Sequence, residues 1–141
     1  MKPLLIAHRG DTVNFPENTL DAFASAFEKG ADGIELDLQF YNNELIVVHD
    51  YLFDRTKSYP LLSQVLKRFW DKGRIEIEIK SMDLDFLPAL KKLLNNYENA
   101  DFEITTSVFP LMHYLRQEFP QLSLGIIFND KEFEEWMTPE F

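Results

Sequence analysis

The feature that most constrains this chain is the alternation in Ile75-Glu76-Ile77-Glu78-Ile79-Lys80, where isoleucine and charged residues take turns. A period of two puts the isoleucines on one face of a strand and the charges on the other. Glu35-Leu36-Asp37 does the same, with Ile34, Leu36 and Leu38 opposite the carboxylates. An open sheet covered by helices on both sides needs apolar residues on both faces. Two strands with one charged face therefore favour a barrel in which that face lines a polar mouth.

The rest of the chain alternates strand and helix patterns without a linker, repeat or low-complexity tract. Leu4 to Ala7 reads as a first strand. Thr19 to Lys29 is a helix with Leu20, Phe23, Ala24 and Phe27 on one face and Gly30 as its stop. Gly33 to Leu38 is a second strand, joined through Tyr41-Asn42-Asn43 to a short extended piece, Leu45 to Val48. Leu61 to Lys72 is a helix closed by Gly73, Ile75 to Lys80 a strand, and Asp83 to Asn95 a helix with Leu84, Leu87, Leu90 and Leu94 inward. Phe102 to Thr106 and Leu122 to Phe128 are two more strands, separated by a helix starting at Pro110 and followed by an amphipathic helix from Lys131. About five strand-plus-helix units result. The expected class is α/β, an incomplete TIM-type (β/α) barrel, as one domain over 1–141.

Charge and composition narrow the function. Twenty-four acidic against 14 basic residues give a net charge of −10, which argues against a broad electrostatic grip on nucleic acid or anionic membrane. With no cysteine, disulfides, thiolate metal sites and cysteine nucleophiles are excluded. The run from Pro3 to Ala7 is too short for a membrane span or signal-peptide core, so a soluble, cytoplasmic protein without stable membrane insertion is expected.

His8 and Arg9 end the first strand, and His49 with Asp50 ends the extended piece after it. A single strand-end imidazole suits a backbone partner. Two at equivalent ends with carboxylates between them can supply the base and the acid of a hydrolysis, because neutral histidine gives or takes a proton near pH 7. Glu35, Asp37 and Glu78 would repel one another on a shared face unless a cation sits among them, and a hard divalent ion with oxygen ligands resolves the conflict. Arg9 and Lys80 can add positive charge. Asn18 suits a helix cap, while Glu17 can reach the metal or hold Arg9. Glu76 and His113 are given no role.

His8-Arg9-Gly10, Pro16-Glu17-Asn18-Thr19, Glu35-Leu36-Asp37, Val48-His49-Asp50 and Glu78-Ile79-Lys80 together resemble the glycerophosphodiester phosphodiesterase family in order and spacing. Thr105-Thr106-Ser107 and Pro120 to Phe128 resemble its middle strands less specifically. The resemblance implies a TIM-type barrel and metal-dependent hydrolysis of a glycerophosphodiester to glycerol 3-phosphate and an alcohol. It implies that His8 and His49 are the acid/base pair, that Arg9 assists catalysis, that Glu35, Asp37 and Glu78 hold Mg²⁺ or Ca²⁺ (with Mn²⁺ a further option), and that Arg9 and Lys80 face the phosphate.

The chain departs from the family in two ways. Only Tyr51 to Tyr59 spans the interval where the family carries an insertion, which leaves the leaving alcohol unspecified. Five units leave about three missing from an eight-fold barrel of about 250 residues, and nothing after Phe128 matches the family's last strands. The alternatives are a non-catalytic phosphodiester-binding or regulatory protein, or a relative of the sphingomyelinase D enzymes, whose short insertion is similar. Unpaired edges at Leu4 to Ala7 and Leu122 to Phe128, an exposed apolar inner face, and Phe128, Phe133, Trp136 and Met137 lead to the expectation of a homo-oligomer or a missing C-terminal segment.

Overall fold

The computed structural model describes residues 2–82 and 84–128. Ten elements follow in order, β1 (Ile6–His8), α1 (Leu20–Glu28), β2 (Gly33–Tyr41), β3 (Glu44–Val47), α2 (Leu62–Phe69), β4 (Arg74–Ile79), α3 (Phe86–Leu94), β5 (Phe102–Thr106), α4 (Leu111–Glu118) and β6 (Ser123–Ile126). Five strands are parallel in the order β1-β2-β4-β5-β6, and β3 pairs antiparallel with β2. This is part of a TIM-type barrel, with five parallel strands and four helices among the described residues. The helix expected from Lys131, with Phe133, Trp136 and Met137, lies outside them.

The strand alternation does what the sequence predicts. Ile34, Leu36, Leu38, Ile75, Ile77, Ile79 and Ile104 are buried beneath the helices, in one core with Phe23, Leu66, Leu90 and Leu115. In α2 the buried positions Leu62, Val65, Leu66 and Phe69 follow helical spacing, each stabilising by roughly 1.5–3 kcal/mol relative to exposure. The opposite face of the sheet carries Glu35, Asp37, Glu76, Glu78, Glu103 and Thr105, so the expected apolar inner face is in fact charged and polar. Among the described residues, β1 pairs only with β2, and β6 only with β5.

Several boundaries differ from the sequence reading. The first strand begins at Ile6, because Leu5 donates to the Asp32 carboxylate at 2.8 Å and its carbonyl accepts from Asp32 and Gly33, outside the ladder. Thr19, not Asn18, caps α1, with its hydroxyl 3.2 Å from the Ala22 nitrogen. Leu84 precedes α3 and is exposed rather than inward, while Leu87, Leu90 and Leu94 are buried.

The short extended piece expected after the asparagine turn is β3, which runs antiparallel to β2, so its end is not equivalent to that of β1. Asn42 and Asn43 both have positive φ, 50° and 61°, as a tight hairpin turn requires, and β2 runs three residues beyond Leu38 to meet it. The hairpin therefore carries β3 back toward the site from beyond it. Val48 donates to the Asp37 carbonyl at 3.0 Å, which sets His49 beside the level of the inner carboxylates. No helix among the described residues is long and apolar enough to cross a membrane.

Candidate active site

The site forms where β1 and β4 end on either side of β2, because the register aligns His8 with Glu35 and Asp37 with Glu78. Such carboxyl-terminal strand ends are where barrels gather reactive groups. His8 is mostly exposed above Glu35, its Nε2 lying 3.8 Å from Glu35 Oε2. Arg9 takes a left-handed backbone conformation, φ 58°, and its N–H points to both the carbonyl (3.0 Å) and the carboxylate (3.2 Å) of Glu35. The next residue, Gly10, has φ 85°, and a Cβ there would lie 2.7 Å from the Ala22 backbone. Glycine is thus needed for the chain to pass this closely over α1.

Glu35, Asp37 and Glu78 are all buried, and one carboxylate oxygen from each lies within 4.8 Å of the others. Burial, then repulsion from Asp37 and Glu78, pushes the Glu35 carboxyl up to about 8. Lys80 bonds to Glu78 Oε1 at 2.6 Å and lies 3.5 Å from Asp37 Oδ1. The guanidinium of Arg9 reaches Glu17 Oε2 at 3.0 Å, and its Nε lies 3.0 Å from Asp37 Oδ2. Burial disfavours both cations, but the hydrogen bonds and carboxylate charges around them outweigh it, and both pKa values are raised.

The fit of a cation can be judged from the donors themselves. Asp37 is fully buried, and its Oδ2 accepts from Asn18 Nδ2 at 2.8 Å, whereas Oδ1 has no hydrogen-bond partner. A buried carboxylate oxygen without a hydrogen bond is costly, and this one, with Lys80 at 3.5 Å, lies among two further carboxylates. An all-oxygen set of this kind suits a hard divalent ion.

A cavity of about 460 Å³ is lined by His8, Arg9, Glu35, Glu78, Lys80, Ser107 and Ile127. A second, of about 480 Å³, holds His49 with Glu17, Asn18 and Asp50 on its wall. The structure thus brings His8, both cations and two carboxylates around one cavity and sets His49 on the other. The two are joined by Arg9–Glu17 and Asn18–Asp37. His49 Nδ1 lies 3.0 Å from Asp50 Oδ1. Glu17 holds Arg9, the second of the two uses open to it, and Asn18 holds Asp37 instead of capping the helix.

Two contributors escape the sequence reading. Gln39 donates to the Asp50 carbonyl at 2.7 Å and lies 3.4 Å from that of His49, pinning the His49 segment to β2. The signal was its phase, since Gln39 follows Glu35 and Asp37 at intervals of two. Asp11 collects Lys29 and Ser25 at 2.6 Å each and Asn14 at 3.0 Å, which holds its carboxyl far below the usual range and fixes the β1–α1 loop. No spacing rule points to it. His113 sits on α4 beside Gln117, away from these groups.

The family model described as "Glycerophosphoryl diester phosphodiesterase family" matches residues 8–123. A glycerophosphodiester phosphodiesterase of Caldanaerobacter subterraneus subsp. tengcongensis is 60% identical over 57 residues, which are 40% of this chain and 24% of the relative. The glycerophosphodiester phosphodiesterase structure from Agrobacterium tumefaciens superposes with a TM-score of 0.77 at 22% identity, covering 87% of this chain and 66% of that one. An Oleispira antarctica phosphodiesterase in complex with the product sn-glycerol-3-phosphate gives 0.78 at 17% identity, over 88% of this chain and 65% of the other. At such identities the likeness concerns the fold, and this chain spans about two thirds of those structures. With the matched region holding every element from β1's His8 to the start of β6, the chain belongs to the glycerophosphoryl diester phosphodiesterase family.

Proposed function

We propose that the chain carries the catalytic half of a glycerophosphodiester phosphodiesterase, cleaving a glycerophosphodiester to glycerol 3-phosphate and an alcohol. The observation that carries this reading is the clustering of buried Glu35, Asp37 and Glu78 beside His8, with Asp37 Oδ1 accepting no hydrogen bond and having Lys80 at 3.5 Å. Glu35, Asp37 and Glu78 would hold Mg²⁺, Ca²⁺ or Mn²⁺. When bound, such an ion polarises a phosphate oxygen and offsets charge that develops there.

The protein's own groups do the rest. Arg9 and Lys80 line the cavity as cations, Arg9 oriented by Glu17, and neutralise the phosphodiester's charge. His8, exposed at the cavity with its Nε2 3.8 Å from Glu35 Oε2, exchanges a proton with the reacting oxygen. His49 handles the proton on the opposite side of the scissile bond, with Asp50 as its partner at 3.0 Å.

A second reading, a phosphodiester-binding protein without turnover, is favoured by one observation, the separation of His8 and His49 into two cavities. The test is incubation with glycerophosphocholine and each cation, scored by released glycerol 3-phosphate. Product that disappears in His8→Ala and His49→Ala supports hydrolysis. Binding of the diester without product supports the second reading.

A further inference from the structure

The most exposed large apolar side chains among the described residues are Leu52 at 96%, Val13 at 91%, Met82 at 73% and Phe109 at 66%. Each lies on a different connection, the ones after β3, β1, β4 and β5 respectively. All four connections leave the sheet around the candidate site. Leu5 (63%) and Leu4 (54%) are exposed at the other end of β1, and single apolar residues scattered over a surface need no explanation, but four on one rim do. Loop tips are ordinarily polar, because nothing covers them.

The charge beside this rim indicates what covers it. The cavity under Leu52 is lined by the carboxylates of Glu17, Asp50 and Asp54 against one cation, Lys57, and the whole chain carries −10. An anionic surface is repelled by that distribution. A choline-bearing zwitterionic surface presents its ammonium groups outermost, where these carboxylates meet them, and lets aliphatic tips reach the acyl boundary below. Its phosphates, each a phosphodiester, then lie at the depth of Arg9 and Lys80; this last step rests on the function proposed above.

We infer that the rim formed by Val13, Leu52, Met82 and Phe109 docks the protein on a phosphatidylcholine-type lipid surface, with the site facing the headgroups. Binding is peripheral, with loop tips inserted and no element spanning the bilayer. The carboxylates select against anionic lipid, and the apolar tips supply the affinity.

Flotation of the purified chain with phosphatidylcholine vesicles, and separately with phosphatidylglycerol vesicles, tests this without needing turnover. Expected is co-flotation with phosphatidylcholine, several-fold weaker with phosphatidylglycerol. A Leu52→Ser/Phe109→Ser variant should lose about tenfold in partitioning, given the apolar area removed, with unchanged circular dichroism. Val13→Ser, which touches neither loop, is the second variant should the first fail to fold, and a severalfold loss is expected. Absence of flotation, undiminished flotation in both variants, or preference for phosphatidylglycerol overturns the inference. So does a concentration-dependent dimer in sedimentation that these substitutions abolish, since a second copy would then cover the rim. Flotation as expected with no hydrolysis by the unaltered chain counts against the proposed activity and supports the docking.

Discussion

Asn18 grips Asp37 at two points, donating from Nδ2 to the carboxylate Oδ2 at 2.8 Å and accepting the Asp37 backbone N–H at 3.3 Å. To do so it adopts φ 58° just before the first helix and is buried. One side chain therefore fixes both the position of β2 and the direction in which the other oxygen, Oδ1, points. Asn18→Ala should destabilise the fold by about 1–3 kcal/mol, because it strands a buried backbone donor and leaves Asp37 Oδ2 with only its Arg9 ion pair. Divalent-cation affinity should fall by about tenfold, the usual effect of removing a group that orients a ligand. Urea unfolding and calorimetric titration measure the two losses, and affinity equal to that of the unaltered chain would show that Asn18 does not orient Asp37.

The three carboxylates and the two histidines should separate cleanly in function. Glu35→Gln and Asp37→Asn each remove a charged oxygen donor and should reduce Mg²⁺ or Ca²⁺ affinity by at least about tenfold. His8→Ala and His49→Ala leave those donors in place and should change it by less than about threefold while lowering turnover by roughly 10²–10⁴. Titration calorimetry on all four variants, with glycerol 3-phosphate release measured in parallel, checks the division.

Glu35 gives the metal-free protein a defined pH dependence. Its folded carboxyl titrates at about 8 against an ordinary 4.5, so the folded state holds a proton that the unfolded state releases. Stability from this group is full below the ordinary value and is lost as pH rises through about 8. The Tm without divalent cation should therefore fall between pH 5 and 8 by roughly 5 °C or more. Glu35→Gln should flatten the curve, and added Mg²⁺ or Ca²⁺ should reverse the fall by favouring the ionised carboxylate. A metal-free Tm that rises across this interval would contradict the burial of Glu35.

Much of this was legible in the sequence because it depends on phase. A period of two in Glu35-Leu36-Asp37 and Ile75 to Lys80 fixed the carboxylates to the inner face and the isoleucines to the core, and the structure keeps both. What stayed hidden depends on contacts between segments far apart in sequence. Asn18 looks like a helix cap because capping is local, whereas its real partner is 19 residues away. His49 looks like the equivalent of His8 at a strand end because a four-residue strand carries no sign of its direction. The direction comes from Asn42 and Asn43, whose positive φ values turn β3 back. Gln39 was readable by phase but passed over, since an amide signals no chemistry by itself.

Arg74 was equally invisible, and it organises the opposite end of the inner face. Its Nε lies 3.2 Å from Glu76 Oε1 and its Nη1 3.6 Å from Asp101 Oδ1, while Nη2 bonds to Glu103 Oε2, which also accepts from Ser123 Oγ at 3.0 Å. Arg74, Glu76 and Glu103 are each about four-fifths buried, so the guanidinium holds together carboxylates that would otherwise repel within the sheet. Burial and the Glu103 charge already raise the Glu76 carboxyl, with Arg74 opposing them. Arg74→Met should therefore cost about 2–4 kcal/mol, most of it the expense of leaving these charges uncompensated. Arg74→Lys should recover only part, because one ammonium cannot serve three acceptors in a fork geometry. The triple change Arg74→Met, Glu76→Gln, Glu103→Met should be more stable than Arg74→Met alone, since it removes the stranded carboxylates as well. Urea unfolding of the three variants at pH 7 provides the comparison. If the triple variant proved less stable than Arg74→Met, the three side chains would be acting by packing and not by charge.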